Sequence, residues 1–261
     1  MRGRTLHPGL HHHRPVDLGA AVAGIAEVLA VAGVLAYNWW VAVPFVRGLL
    51  PSVNGFFSDL EVAGRPHAAL MSDSDVFAGL AMLVALLLRG SASRHGTRRE
   101  WKWMVAFALA GVIGGRFQYA CSEGLSATCR AMEWHLQLPL HHYVHVFAGI
   151  AEFATLTTAA VIAMRRTRGE HTPEARAYAA IVWTLAVGYP LLGLAYLTDR
   201  LGVFVEPIFF VAFSLMLLTE IFEPAHPVAA SPTWAERVAA RGVREGDQDR
   251  VGSDRLPGGG A

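Results

Sequence analysis

Long apolar runs recur along the chain, separated by short polar and charged segments. They cover about residues 18–43, 72–88, 103–119, 140–164, 177–197 and 203–222. At about 1.5 Å per residue, the first is ample for a hydrocarbon core about 30 Å thick. The pattern predicts an all-α fold, a polytopic bundle of six transmembrane helices over residues 18–222. Residues 1–17 then form a basic cytoplasmic tail. Residues 223–261, rich in Pro, Gly, Ala and charge, form a mostly disordered cytoplasmic tail. The connection before the second run holds Pro51, Gly55 and Gly64 and reads as a structured loop.

Composition sharpens this picture. Charged residues make up 16% of the 261 positions, against roughly 25% in soluble domains. A soluble chain of this length could not bury so many apolar helices without exposing large apolar patches. The net charge of +1 gives no basic field for nucleic acid. Lys102 is the sole lysine, so no lysine lies mid-span to carry a retinal Schiff base. The sequence shows no phosphate-binding loop, dinucleotide fingerprint, HExxH or GxSxG element.

Arginine placement sets the orientation. Arg2, Arg4 and Arg14 precede the first run, Arg89, Arg94, Arg98, Arg99 and Lys102 follow the second, and Arg165, Arg166, Arg168 and Arg176 follow the fourth. The alternate connections are poorer in arginine. The rich side is expected to face the cytoplasm, in a multi-pass plasma-membrane protein with both termini inside. Cys121 and Cys129 then fall in an outer connection, where an oxidising compartment favours a disulfide.

Ionisable groups inside spans are costly and mark sites or partners. The pocket expected for a ligand or ion comprises Glu27, Asp73, Asp75, His141, His145, Glu152 and Glu206. Asp73 and Asp75 are read in the first turn of the second helix, and Glu206-Pro207 as the opening of the sixth, where negative charge suits the dipole. Helical spacing puts His141, His145, Gly149 and Glu152 on one face of the fourth helix. Glu220 sits at the inner end of the last helix, within reach of headgroups or Arg165. The polar tail carries His11 to His13.

Three readings stay open. A small or lipidic ligand is bound or moved. Alternatively His141, His145 and Asp75 hold zinc in a membrane hydrolase that acts on a lipid. The third is a structural component of the envelope. The expected surroundings are lipid bilayer, with a small-molecule or lipid ligand and no nucleic acid.

The stretch GFFSDLEVAGRPHAALMSDSDVFAGLAML resembles the outer loop and second span of a bacterial family known as domain of unknown function 998. HHYVHVFAGIAEFATL is similar to its fourth-helix region. The element Phe57-Ser58-Asp59-Leu60-Glu61, with its glycine displaced to Gly64, resembles more distantly the Frag1/DRAM/Sfk1 proteins. The resemblance implies a six-helix integral membrane protein and supplies no activity or site residues.

Overall fold

The computed structural model describes residues 18–46, 55–92, 98–198 and 200–223. The two tails, with His11 to His13, lie outside these residues apart from Glu223. The described part is all-helical: α1 Leu18–Tyr37, α2 Ala68–Ala92, α3 Arg99–Arg116, a short α4 Ala127–Trp134, α5 Leu140–Arg166, α6 Pro173–Thr198 and α7 Gly202–Phe222. Two 3₁₀ turns, Trp39–Phe45 and Ser58–Glu61, lie between α1 and α2. Five helices (α1, α2, α5, α6 and α7) are long and apolar enough to cross a membrane. α3 has 18 residues but carries Arg99, Glu100, Lys102 and Arg116 near its ends.

Several boundaries differ from the sequence expectation, for local reasons. α1 stops at Tyr37 instead of running to residue 43. The Val34 carbonyl accepts both the backbone N–H of Asn38 (3.1 Å) and its side-chain amide (2.8 Å), and the amide also reaches Ser214 Oγ (2.7 Å), tying the helix end to α7. α2 begins at Ala68, after His67 at φ 63°, so Asp73 and Asp75 lie beyond its first turn. α7 begins at Gly202, after Leu201 at φ 64°, and Glu206 is likewise past the first turn. α4 falls in the polar connection between the third and fourth apolar runs. Its Ser126 cap accepts from Cys129 N–H at 3.2 Å.

Helix contacts are set by small residues. A Cβ on Gly115 would lie 2.8 Å from both Ser72 O and Val76 N, and one on Gly79 2.8 Å from Val112 N. These glycines let α2 and α3 touch backbone to backbone. The interior is sealed by Phe107, Phe209, Phe213, Met104, Met216 and Leu156. Phe153, Phe209 and Phe213 meet edge to face. The outer surface is apolar as well: Val28, Leu35, Phe147, Trp183 and Leu197 are each more than two-thirds exposed. A soluble protein would not leave such a belt in water; a bilayer matches it.

Polar groups gather at the two ends. One end carries the expected Cys121–Cys129 disulfide, with Cα atoms 6.0 Å apart. At the other end Arg166 bonds Glu100, and its Nη2 lies 3.0 Å from Glu223 Oε2. Arg98 reaches the same Glu223 oxygen at 2.8 Å. Tyr178 donates to Glu220 (2.8 Å) and Glu223 (2.9 Å). Glu220 therefore pairs with this network, 3.7 Å from Arg166 and 3.8 Å from Arg98, and Arg165 is exposed. Burial works against ionising Glu223, but the Arg166 and Arg98 guanidiniums outweigh it and hold the carboxyl below its usual range.

Candidate intramembrane site

Between the disulfide end and the middle of the bundle lies a cavity of about 100 Å³. Its acidic wall is drawn from four places in the chain: Glu61 from the second 3₁₀ turn, Asp75 from α2, Glu152 from α5 and Glu206 from α7. Each carboxyl is held differently. Glu206 accepts from the backbone N–H groups of Phe57 and Ser58, the latter at 3.3 Å, and so staples the 3₁₀ turn onto α7. Asp75 accepts from Trp39 Nε1 at 2.9 Å. Glu152 lies over Gly111, where a Cβ would come within 2.7 Å of its Oε1. Glu61 is buried and faces Asp75. Its Oε2 has no hydrogen-bond partner among the described residues. Burial, then the Asp75 carboxyl, hold Glu61 well above the usual carboxylate range.

His145 completes the polar lining. Its Nδ1–H is shared between the carbonyls of Gly114 (2.9 Å) and Phe117 (2.7 Å), which leaves Nε2 as the nitrogen with a lone pair. Tyr119 packs on its ring at 3.8 Å between centroids. Tyr37, Phe153, Phe209, Phe210 and Phe213 supply the rest of the wall.

Two larger spaces share walls with this cavity. Toward the disulfide end, a vestibule of about 420 Å³ uses Ser58, Tyr119, Phe153 and Glu206 again and adds Asp59, Glu123 and Tyr196. Sideways, a groove of about 680 Å³ runs between α5 and α6 past Val146, Ile150, Ala154 and Leu192. It shares Tyr119, Gly149 and Phe153 with the acidic cavity.

The expected pocket is thus partly assembled. Asp75, His145, Glu152 and Glu206 line one cavity, and Gly149 lies with them. Glu27 is half-buried on α1 and does not line it; Asp73 is exposed. His141 also points outward, and its neighbour His142 is fully buried instead. The cause is the cover on that flank of α5: Ala120 N–H donates to His142 Nδ1 (3.3 Å), and Tyr119 and Tyr143 pack on the ring. His141, His145 and Asp75 are therefore not brought to one point.

Glu123, Glu133 and His142 are the grouping, among the described residues, whose ligand atoms lie within 4.8 Å of one another. Because His142 Nδ1 accepts from Ala120, the ring proton sits on Nε2 and faces Glu133 at 3.4 Å. That arrangement serves a hydrogen bond to Glu133 and offers no lone pair to a metal.

Burial, then the Glu133 carboxyl, push Glu123 from 4.5 up to about 8. The folded protein then holds a proton that the unfolded chain has released. Stability from this proton is fully present below about pH 4.5 and is lost as the pH rises through about 8. Discounted for partial exposure, the loss is on the order of 1–2 kcal/mol. In melting experiments across this window, the wild type is expected to lose stability as pH rises, and Glu123→Gln to lose distinctly less. Equal slopes would remove the pair from the account.

Sequence reasoning missed Glu61, which sits in a polar loop where a carboxylate is unremarkable. Its signal was the Phe57–Glu61 element, noticed only for its resemblance. That element is the turn that lids the cavity. The likeness to Frag1/DRAM/Sfk1 proteins rests on that element alone. No curated protein and no solved structure matches the chain. A family model described as protein of unknown function (DUF998) matches residues 30–237, which takes in the helical bundle from the middle of α1 onward. The chain belongs to the DUF998 family, and the acidic cavity lies within the matched region.

Proposed function

We propose that this protein holds an amphiphilic ligand inside the membrane, with its apolar chain in the α5–α6 groove and its polar head in the acidic cavity. The observation that carries the reading is the shared wall at Tyr119, Gly149 and Phe153. A Cβ on Gly149 would meet nothing within 4 Å, so the wall is open where the two spaces adjoin. The groove lies between two helices with the length and hydropathy of membrane spans. Bilayer lipid is its natural neighbour, and an alkyl chain enters from the side without crossing water. The head then meets carboxyl groups that would otherwise rely on one another or on water.

The membrane frame follows the same logic. α3 counts as the sixth span: its 18 residues reach about 27 Å, with Arg99, Lys102 and Arg116 at headgroup depth. Six crossings return both termini to one side. The end with Arg89, Arg98, Arg165 and Arg166 faces the cytoplasm of a plasma membrane, and the disulfide end faces outward. The vestibule then opens to the outside. A site of this kind suits a receptor or carrier for a lipidic molecule.

Photolabelling with an alkyl-diazirine amphiphile in native membranes tests the location. Adducts are expected to concentrate on Ile150, Phe153, Ala154 and Leu192, well above Ile25, Leu35 and Phe147, which lie on the apolar surface outside the groove. Even labelling around the bundle would contradict the reading.

A further inference from the structure

We infer that the head accepted by the acidic cavity carries an ammonium cation. The inference rests on the amphiphile reading and adds the charge of the head. Its first support is a contrast between the two ends of the molecule. At the arginine-rich end, the buried carboxylates Glu100, Glu220 and Glu223 have Arg98 and Arg166 beside them. In the cavity, Glu61, Asp75, Glu152 and Glu206 line one space, and none of the described lining residues is lysine or arginine. Buried charge is normally paired. Here the chain supplies acidic groups without a basic partner, and a cationic head would supply the charge that favours their ionised form.

The second support is Glu61. It is 4% exposed, it lines the cavity, and its Oε2 accepts no hydrogen bond from any described residue. A buried carboxylate oxygen without a donor costs free energy until a ligand supplies one. A head group with N–H donors meets that need.

The third support is the remaining wall. Tyr37, Tyr119, Phe153, Phe209, Phe210 and Phe213 surround the carboxyls. Among the described residues no three of these carboxyls bring ligand oxygens within 4.8 Å of one another, so they form no chelating shell for a calcium or magnesium ion, while the aromatic faces attract ammonium groups. A phosphate or sulfate head would be repelled by the carboxylates. At about 100 Å³ the cavity takes a compact head and excludes a sugar.

The test uses the full chain in detergent and competition against the diazirine label in the groove. Decylammonium, decanol and decyl sulfate share one chain length and differ in the head. Decylammonium is expected to protect the groove at least tenfold more strongly than decanol, and decyl sulfate least. Glu61→Gln should remove most of that preference while leaving protection by decanol in place. Glu152→Gln serves as a second, independent variant if the first fails to fold. Equal protection by decylammonium and decanol would overturn the ammonium head and leave the amphiphile reading standing. No protection by any of the three would overturn both. A preference that survives in folded Glu61→Gln and Glu152→Gln would overturn the assignment of the head to this cavity.

Discussion

Arg166→Ala is expected to lower the melting temperature of the detergent-solubilised protein by about 10 °C, corresponding to about 3–5 kcal/mol. Arg166 touches two carboxylates at once, Glu100 on α3 and Glu223 past the end of α7. Both are nearly inaccessible, at 2% side-chain exposure each. Deleting the guanidinium leaves them facing Glu220, itself fully buried, with Arg98 and Arg89 as nearby cations. The cost is that of stranding buried charge, which is far larger than the worth of a surface pair. Arg165, one residue earlier, is exposed, so Arg165→Ala should melt within about 1 °C of the wild type. Equal losses in the two variants, or no loss in Arg166→Ala, would mean that the network does not hold α3, α5 and α7 together. Differential scanning fluorimetry on both variants decides it.

This network also shows what a one-dimensional reading cannot reach. Arginine placement correctly marks one end of the bundle as basic. The same reading puts Glu220 within reach of headgroups or Arg165, because nothing in the local sequence tells Arg166 from Arg165. The difference is a rotation of about 100° around α5, which aims one side chain at Glu100 and the other outward. Long apolar runs were legible because hydrophobic length is a property of a single segment. The five helices that satisfy it appear where expected, and α3 follows the third run. Their ends were less legible. At the end of α1, Asn38 bonds Ser214, 176 residues away, and positive φ at His67 and Leu201 precedes the starts of α2 and α7.

The candidate site divides in the same way. His145, Gly149 and Glu152 were placed on one face by helical spacing alone, and they do line one cavity. His141 has the same spacing but lies at the uncovered edge of the helix end. Glu61 and Glu206 belong to segments 145 positions apart and meet only because the Ser58–Glu61 turn folds back onto α7. The Cys121–Cys129 pairing was readable because both residues sit in one short segment.

The passage between groove and cavity makes the other large prediction. Gly149→Trp should abolish amphiphile binding while leaving the fold intact. Gly149 borders both spaces, and a Cβ there meets no atom within 4 Å. An indole therefore fills the open passage before it strains a neighbour. Gly115 is the opposite case, with Ser72 O and Val76 N 2.8 Å from its Cβ position, and it would test packing instead of access. The decisive measurement is the yield of the groove adduct from the diazirine amphiphile in wild type and Gly149→Trp, at matched melting temperature. The account predicts at least a tenfold fall in the variant; an unchanged yield on Ile150, Phe153, Ala154 and Leu192 would contradict it.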